Sequence, residues 1–189
     1  MSENKSIMGF EIDVMGRNRF EYPGHEINLL DTNEEHTGER FGIDFLSPCL
    51  GIIGYDSGED VFHGAHIVAP TGSKVEDFVE KYEPDAVVVT GLNYSEEQLD
   101  EHEYFGGHVL GSENIDKVEP SEAYDVAADG GVSMSELSPV EDMLCKRGDI
   151  EDTLDQYGIE YETAWCPGPT TYSVVDATIP EEEIRIGHL

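Results

Sequence analysis

Apolar and acidic residues alternate one for one at the start of the chain, where Phe10, Ile12 and Val14 are interleaved with Glu11 and Asp13. A period of two marks a strand with one face on a core and the other toward water, so residues 8–15 predict a half-buried strand, after a frayed stretch at 1–7. Residues 27–30 predict a second short strand, 31–40 a loop rich in turn formers, and 41–46 a third strand. Two apolar runs, 50–55 and 67–69, flank Asp56-Ser57-Gly58-Glu59-Asp60, a string that favours chain reversal, and together they predict a β-hairpin. After Pro70 the period becomes helical: Val75, Phe78, Val79 and Tyr82 fall on one face, with Ser73 as N-cap and Pro84 as the stop. Ala86-Val87-Val88-Val89-Thr90 has no polar break and predicts a strand buried on both faces.

The second half is less regular. A short acidic helix over 95–102, a strand over 104–110 and loops over 111–139 are expected. From Asp149 a helix places Ile150, Leu154 and Tyr157 on one face and ends at Gly158. Strands over 159–165, 171–176 and 184–186 follow. Helices and strands intermixed over 189 residues predict one domain spanning 1–189, with 111–139 as a loop-rich excursion.

Charge narrows the partners. The chain carries 42 acidic against 10 basic residues, a net charge of -32, which repels nucleic acid and anionic membrane surfaces. The carboxylates are dispersed among apolar runs, unlike those of a disordered acidic tail. They suit a halophilic cytosol whose salt screens self-repulsion. No stretch has the length of a signal-peptide core or a membrane span, so a cytoplasmic protein without membrane insertion is expected.

Cys49, Cys145 and Cys166 are widely spaced and form no C-x-x-C pair, which predicts free thiols and no zinc knuckle. Lys146 and Arg147 beside Cys145 would favour its thiolate. Cys166, before Pro167-Gly168, reads as structural. His63 and His66 lie three apart, so on a strand they face opposite ways and do not chelate one ion. The Gly-containing Tyr104-Phe105-Gly106-Gly107-His108 lacks the spacing of a phosphate loop, and no cofactor is expected.

The chemistry-bearing stretch is 44–70. Its first apolar run starts at Cys49 and its second at His66, each behind small or turn-prone residues (Ser47-Pro48 and Gly64-Ala65). With 50–55 and 67–69 as the strands, antiparallel pairing sets the start of one near the far end of the other unless the connection folds back.

These residues resemble the chemoreceptor glutamine deamidases called CheD, within a wider group of Cys-His hydrolases that includes the cytotoxic necrotizing factor toxins. The likeness rests on Leu46-Ser47-Pro48-Cys49, the apolar strand ending in Tyr55-Asp56, His63-Gly64-Ala65-His66 and Val68-Ala69-Pro70, over about residues 40–75 and more loosely the last 45. Seventeen positions separate Cys49 from His66, the family spacing. Family members carry Thr six residues before the Cys, where this chain has Ile43, and Gly-Ser where it has Ser47-Pro48.

The resemblance implies a layered α/β sandwich of mixed sheets with helices outside. It implies hydrolysis of protein glutamine to glutamate, with Cys49 as nucleophile and His66 as base, no cofactor, and Asp44, Ser47 or more weakly Thr37 orienting the imidazole. Substrates would be glutamines on the helical cytoplasmic arms of chemoreceptors, and a CheC-like chemotaxis phosphatase would be the partner. Ile43 and Pro48 also leave open a CheD-like binding or regulatory protein without activity.

Overall fold

The computed structural model describes residues 5–19, 28–44, 46, 48–105, 118–132, 136–165 and 174–188. The elements run β1 (Lys5–Ile7), β2 (Phe10–Arg19), β3 (Leu29–Leu30), β4 (Glu35–Gly38), β5 (Arg40–Ile43), β6 (Leu50–Asp56), β7 (Val61–Ile67), α1 (Gly72–Tyr82), β8 (Ala86–Gly91), α2 (Glu96–Phe105), α3 (Pro120–Gly130), α4 (Pro139–Tyr157), β9 (Glu160–Thr163), β10 (Val174–Thr178) and β11 (Glu183–His188). They form an α/β sandwich of two mixed sheets. One has the order β1-β2-β11-β10-β5-β3 and the other β4-β7-β6-β8-β9. The β2·β11 and β3·β5 pairs of the first sheet are parallel, as is β8·β9 of the second.

The alternation of side chains along the strands defines the layers. Ile12, Phe41, Ile43, Val175, Ala177, Ile184 and Ile186 of the first sheet meet Ile53, Phe62, Ala86 and Val88 of the second in one core. The other face of the second sheet, through Leu50, Ile52, Ala65, Val87 and Val89, meets Val75, Phe78 and Val79 of α1 and Ile150 and Leu154 of α4. A smaller cluster of Ala123, Ala127, Val140, Leu144 and Cys145 joins α3 to α4. β8 is thus buried on both faces, as its unbroken Val run predicts. No helix among the described residues is long and apolar enough to cross a membrane.

Several elements differ from the sequence reading. Residues 5–7, expected to fray, pair with β2 from Lys5↔Ile12 to Ile7↔Phe10. The stretch 31–40, read as loop, contains β4, a polar strand that exists because it completes the edge of β7. Tyr104 and Phe105, assigned to a strand, end α2, and residues 106–110 lie outside the described residues. Within 111–139, read as loops, Pro120–Gly130 is a helix, while 111–117 and 133–135 lie outside the described residues. α4 begins ten residues before Asp149, at Pro139, behind a capping box: Ser138 Oγ accepts from the Glu141 N–H and Glu141 Oε2 from the Ser138 N–H. Gly158 ends it in the left-handed conformation, φ 64°.

Candidate active site

Strand register decides whether the sulfur and the imidazole can meet. The second strand of the hairpin is Val61–Ile67, so His66 is the last residue but one of β7, where the sequence reading sets it at the start of a strand over 67–69. β6 and β7 pair Leu50↔Ile67 and Gly51↔His66. Cys49 precedes β6 by one residue and shares the face of Gly51, which makes it the diagonal same-face neighbour of His66. The hairpin therefore brings together two ends that the sequence reading set apart. Gly64 and Ala65, turn-prone by sequence, are strand residues, and the glycines of the hairpin make room for the first sheet: a Cβ on Gly64 would stand 2.3 Å from two ring atoms of Phe41, and one on Gly51 would stand 2.8 Å from Leu46 Cδ1.

Both side chains face the first sheet. Cys49 is half-buried against that core, and His66 is 3% exposed. His66 Nδ1 lies 3.4 Å from the carbonyl oxygen of Leu30 in β3. A carbonyl only accepts, so Nδ1 carries the proton, and Nε2 presents its lone pair. Nε2 is buried with no hydrogen-bond partner among the described residues. At 3.4 Å the Leu30 contact is long, and it fixes the tautomer more firmly than the position.

Nδ1 of His66 is thus met by a main-chain carbonyl. Thr37, the weaker candidate, bonds the other histidine: its Oγ1 lies 2.8 Å from His63 Nδ1. Asp44 follows β5 and lies close enough to His66 for their charges to interact; burial pushes its carboxyl up, against the pull of the imidazole. Ser47 lies outside the described residues. Ile43, where the resembled family has Thr, is fully buried and pairs with Leu30, so it packs the seam beneath the imidazole. Burial also pushes the Cys49 thiol up from its ordinary value. At rest the sulfur is therefore protonated and needs a base to become nucleophilic.

His63 points the other way, as alternation requires. It stacks on Tyr82 of α1 with centroids 4.4 Å apart and planes 20° apart, and burial lowers its pKa against the pull of Asp56 and Glu59. The described residues hold no group of three or more His, Cys, Asp or Glu side chains placed to bind a metal. Cys145 reverses its sequence expectation: it is buried, its Sγ donates to the Ala123 carbonyl at 3.5 Å, and burial with Asp142 and Glu141 pushes it up to about 11. Lys146 turns to Asp142 at 2.6 Å. Cys166 lies outside the described residues. A cleft of about 220 Å³ runs along the end of β7, with His66 on its wall and Ile67 and Phe78 among its lining, between Lys74 and Lys81.

Two parts of the site had no sequence signal. The Leu30 carbonyl is main chain, which no side-chain pattern reveals. The other is the turn after β8, whose Leu92 N–H donates to the Cys49 carbonyl at 2.8 Å. Against known proteins, the sequence matches no protein-family model and no curated protein.

Proposed function

We propose that the protein is a cysteine amidohydrolase that converts protein glutamine to glutamate, with Cys49 as nucleophile and His66 as base. One observation carries the reading: an imidazole with Nδ1 given to a carbonyl and a free Nε2 shares a sheet face, diagonally, with the only half-buried cysteine among the described residues. Nε2 takes the Cys49 proton as sulfur attacks the side-chain amide carbon. The imidazolium returns that proton to the departing ammonia, leaving a thioester. Water, deprotonated by Nε2, then releases glutamate and restores the thiol. The Cys49 N–H is the proposed oxyanion donor, because Pro48 has none to offer.

The substrate class follows from the resemblance alone: glutamines on the helical cytoplasmic arms of chemoreceptors, with a CheC-like phosphatase as regulator. The test incubates the protein with a receptor cytoplasmic fragment in concentrated salt and follows mass. Each converted glutamine adds about one dalton, and Cys49→Ala and His66→Gln should both abolish the gain.

A second reading is a binding protein that keeps the fold without the reaction. The thiol raised by burial favours it, since among the described residues burial is the cause of the shift and no charge offsets it. Unchanged receptor mass together with retained receptor binding would establish this alternative.

A further inference from the structure

Arg147 lies in the middle of α4, 6% exposed, in a region otherwise rich in apolar and acidic side chains. Its guanidinium donates to the carbonyls of Gly91 at 3.3 Å and Leu92 at 2.9 Å, and stands over the Trp165 ring at 5.0 Å. Trp165 in turn donates to Glu151 at 2.9 Å. A buried guanidinium is costly unless its donors are used. Here two of its contacts hold one short turn.

That turn is unusual in backbone as well. Gly91 has φ +103° and Leu92 φ +50°, two successive residues in the left-handed region, the second a bulky one that pays for it in strain. The conformation turns the Leu92 N–H onto the Cys49 carbonyl at 2.8 Å. It also packs Gly91 so tightly on Cys49 that a Cβ there would lie 2.4 Å from the same carbonyl oxygen. The chain of contacts runs from the α4 guanidinium, through two carbonyls, to the peptide unit that follows the sulfur-bearing residue.

We infer that Arg147 is a positioning residue for Cys49, acting through the Gly91–Leu92 turn. The inference rests on Cys49 being the nucleophile of the proposed reaction. Without the two Nη2 bonds the turn relaxes, Cys49 loses its backbone anchor, and its N–H no longer faces a fixed point. A loosened Cys49 is better hydrated, so its thiol falls back toward the ordinary value and becomes more accessible; both changes speed alkylation.

The experiment compares wild type with Arg147→Lys, Arg147→Ala and Gly91→Ala, with Lys146→Gln as a surface control, in concentrated salt. Iodoacetamide labelling of Cys49 is read by peptide mass spectrometry, beside deamidation of the receptor fragment. Arg147→Lys keeps the charge on a shorter stem that ends before the position of Nη2, the one nitrogen that donates to both carbonyls, and is the variant most able to fold. Arg147→Lys and Gly91→Ala should label Cys49 several-fold faster than wild type and, where wild type deamidates, lower kcat by about tenfold or more with KM little changed, as a misplaced reacting group does. Millimolar guanidinium should return Arg147→Ala toward wild-type labelling, an effect that general loss of packing would not give. Wild-type labelling rates and kcat in a folded Arg147→Lys overturn the inference. A wild type that never deamidates, with labelling still accelerated in the variants, retains the anchor and discards the deamidase reading.

Discussion

Gly64→Ala tests the close approach of the two sheets on which the site depends. The new methyl would stand 2.3 Å from Phe41 Cε2 and Cζ and 3.0 Å from Cδ2, where ordinary contact begins at 3.4 Å, so the ring or the strand must retreat by about 1 Å. Phe41 is fully buried, with Phe62 and His36 rings at 6.3 and 6.0 Å, and has nowhere to go. Overpacking of this kind costs about 1–3 kcal/mol, and the upper part of that range fits a side chain held on both sides. For a chain of this size each kcal/mol lowers Tm by about 2–4 °C, so a cost of about 2–3 kcal/mol gives a fall of roughly 4–12 °C in thermal melts followed by near-ultraviolet circular dichroism. Gly58→Ala is the control, since its Cβ would meet only Asp56 Oδ1 at 3.2 Å in an exposed turn. The same displacement pushes β5 away from β7. Because β5 pairs with β3, it also lengthens the contact between His66 and Leu30. A Gly64→Ala protein that melts within about 1 °C of wild type would refute the reasoning.

Four further outcomes are expected. Cys49 should alkylate slowly at neutral pH and faster as pH rises past the usual thiol range, because burial favours its protonated form; rapid neutral-pH labelling would contradict this. Cys145 is raised from 9.0 to about 11 in the fold, so the unfolded chain releases its proton first: its contribution to stability is complete below about pH 9 and is lost as pH climbs toward 11, visible as a falling Tm that Cys145→Ala should flatten. Thr37→Val should cost about 1 kcal/mol through the lost His63 bond and leave Cys49 labelling unaltered, whereas a labelling change would return Thr37 to the His66 side of the sheet. With a net charge of -32, the melting temperature should rise steeply as salt is added and the Debye length shrinks from about 10 Å. A flat salt dependence would remove the halophilic reading.

What could be read in advance follows from which signals are local. The Val run of β8, the helical spacing of Val75, Phe78 and Val79, and the alternation of Phe10, Ile12 and Val14 carry their partners' requirements in their own residues. β4 does not: Glu35-His36-Thr37-Gly38 is polar, and pairing with β7 makes it a strand. Ser138 and Glu141 did offer a legible start for α4 in the form of a capping box. At the site, Cys49 and His66 were legible as residue types. Their placement on one face of the hairpin depended on the β7 boundary, which Gly64 hid by resembling a turn residue while serving as a gap for Phe41. The Leu30 carbonyl and the carbonyls that Arg147 Nη2 reaches are main-chain groups, and composition is blind to those.

The pairing of β2 with β11 bears on when the molecule can work at all. Glu11 to Val14 lie against Glu183 to Ile186, 172 positions away, so the first sheet closes only once these two distant segments have found each other, a slow step in entropy terms. The hairpin of β6 and β7, by contrast, is local and can form early. Since Leu30 belongs to the first sheet, a nascent chain would set Cys49 and His66 at diagonal places on one hairpin before the Leu30 carbonyl reaches the imidazole, so for the proposed reaction competence would arrive last, with completion of the first sheet.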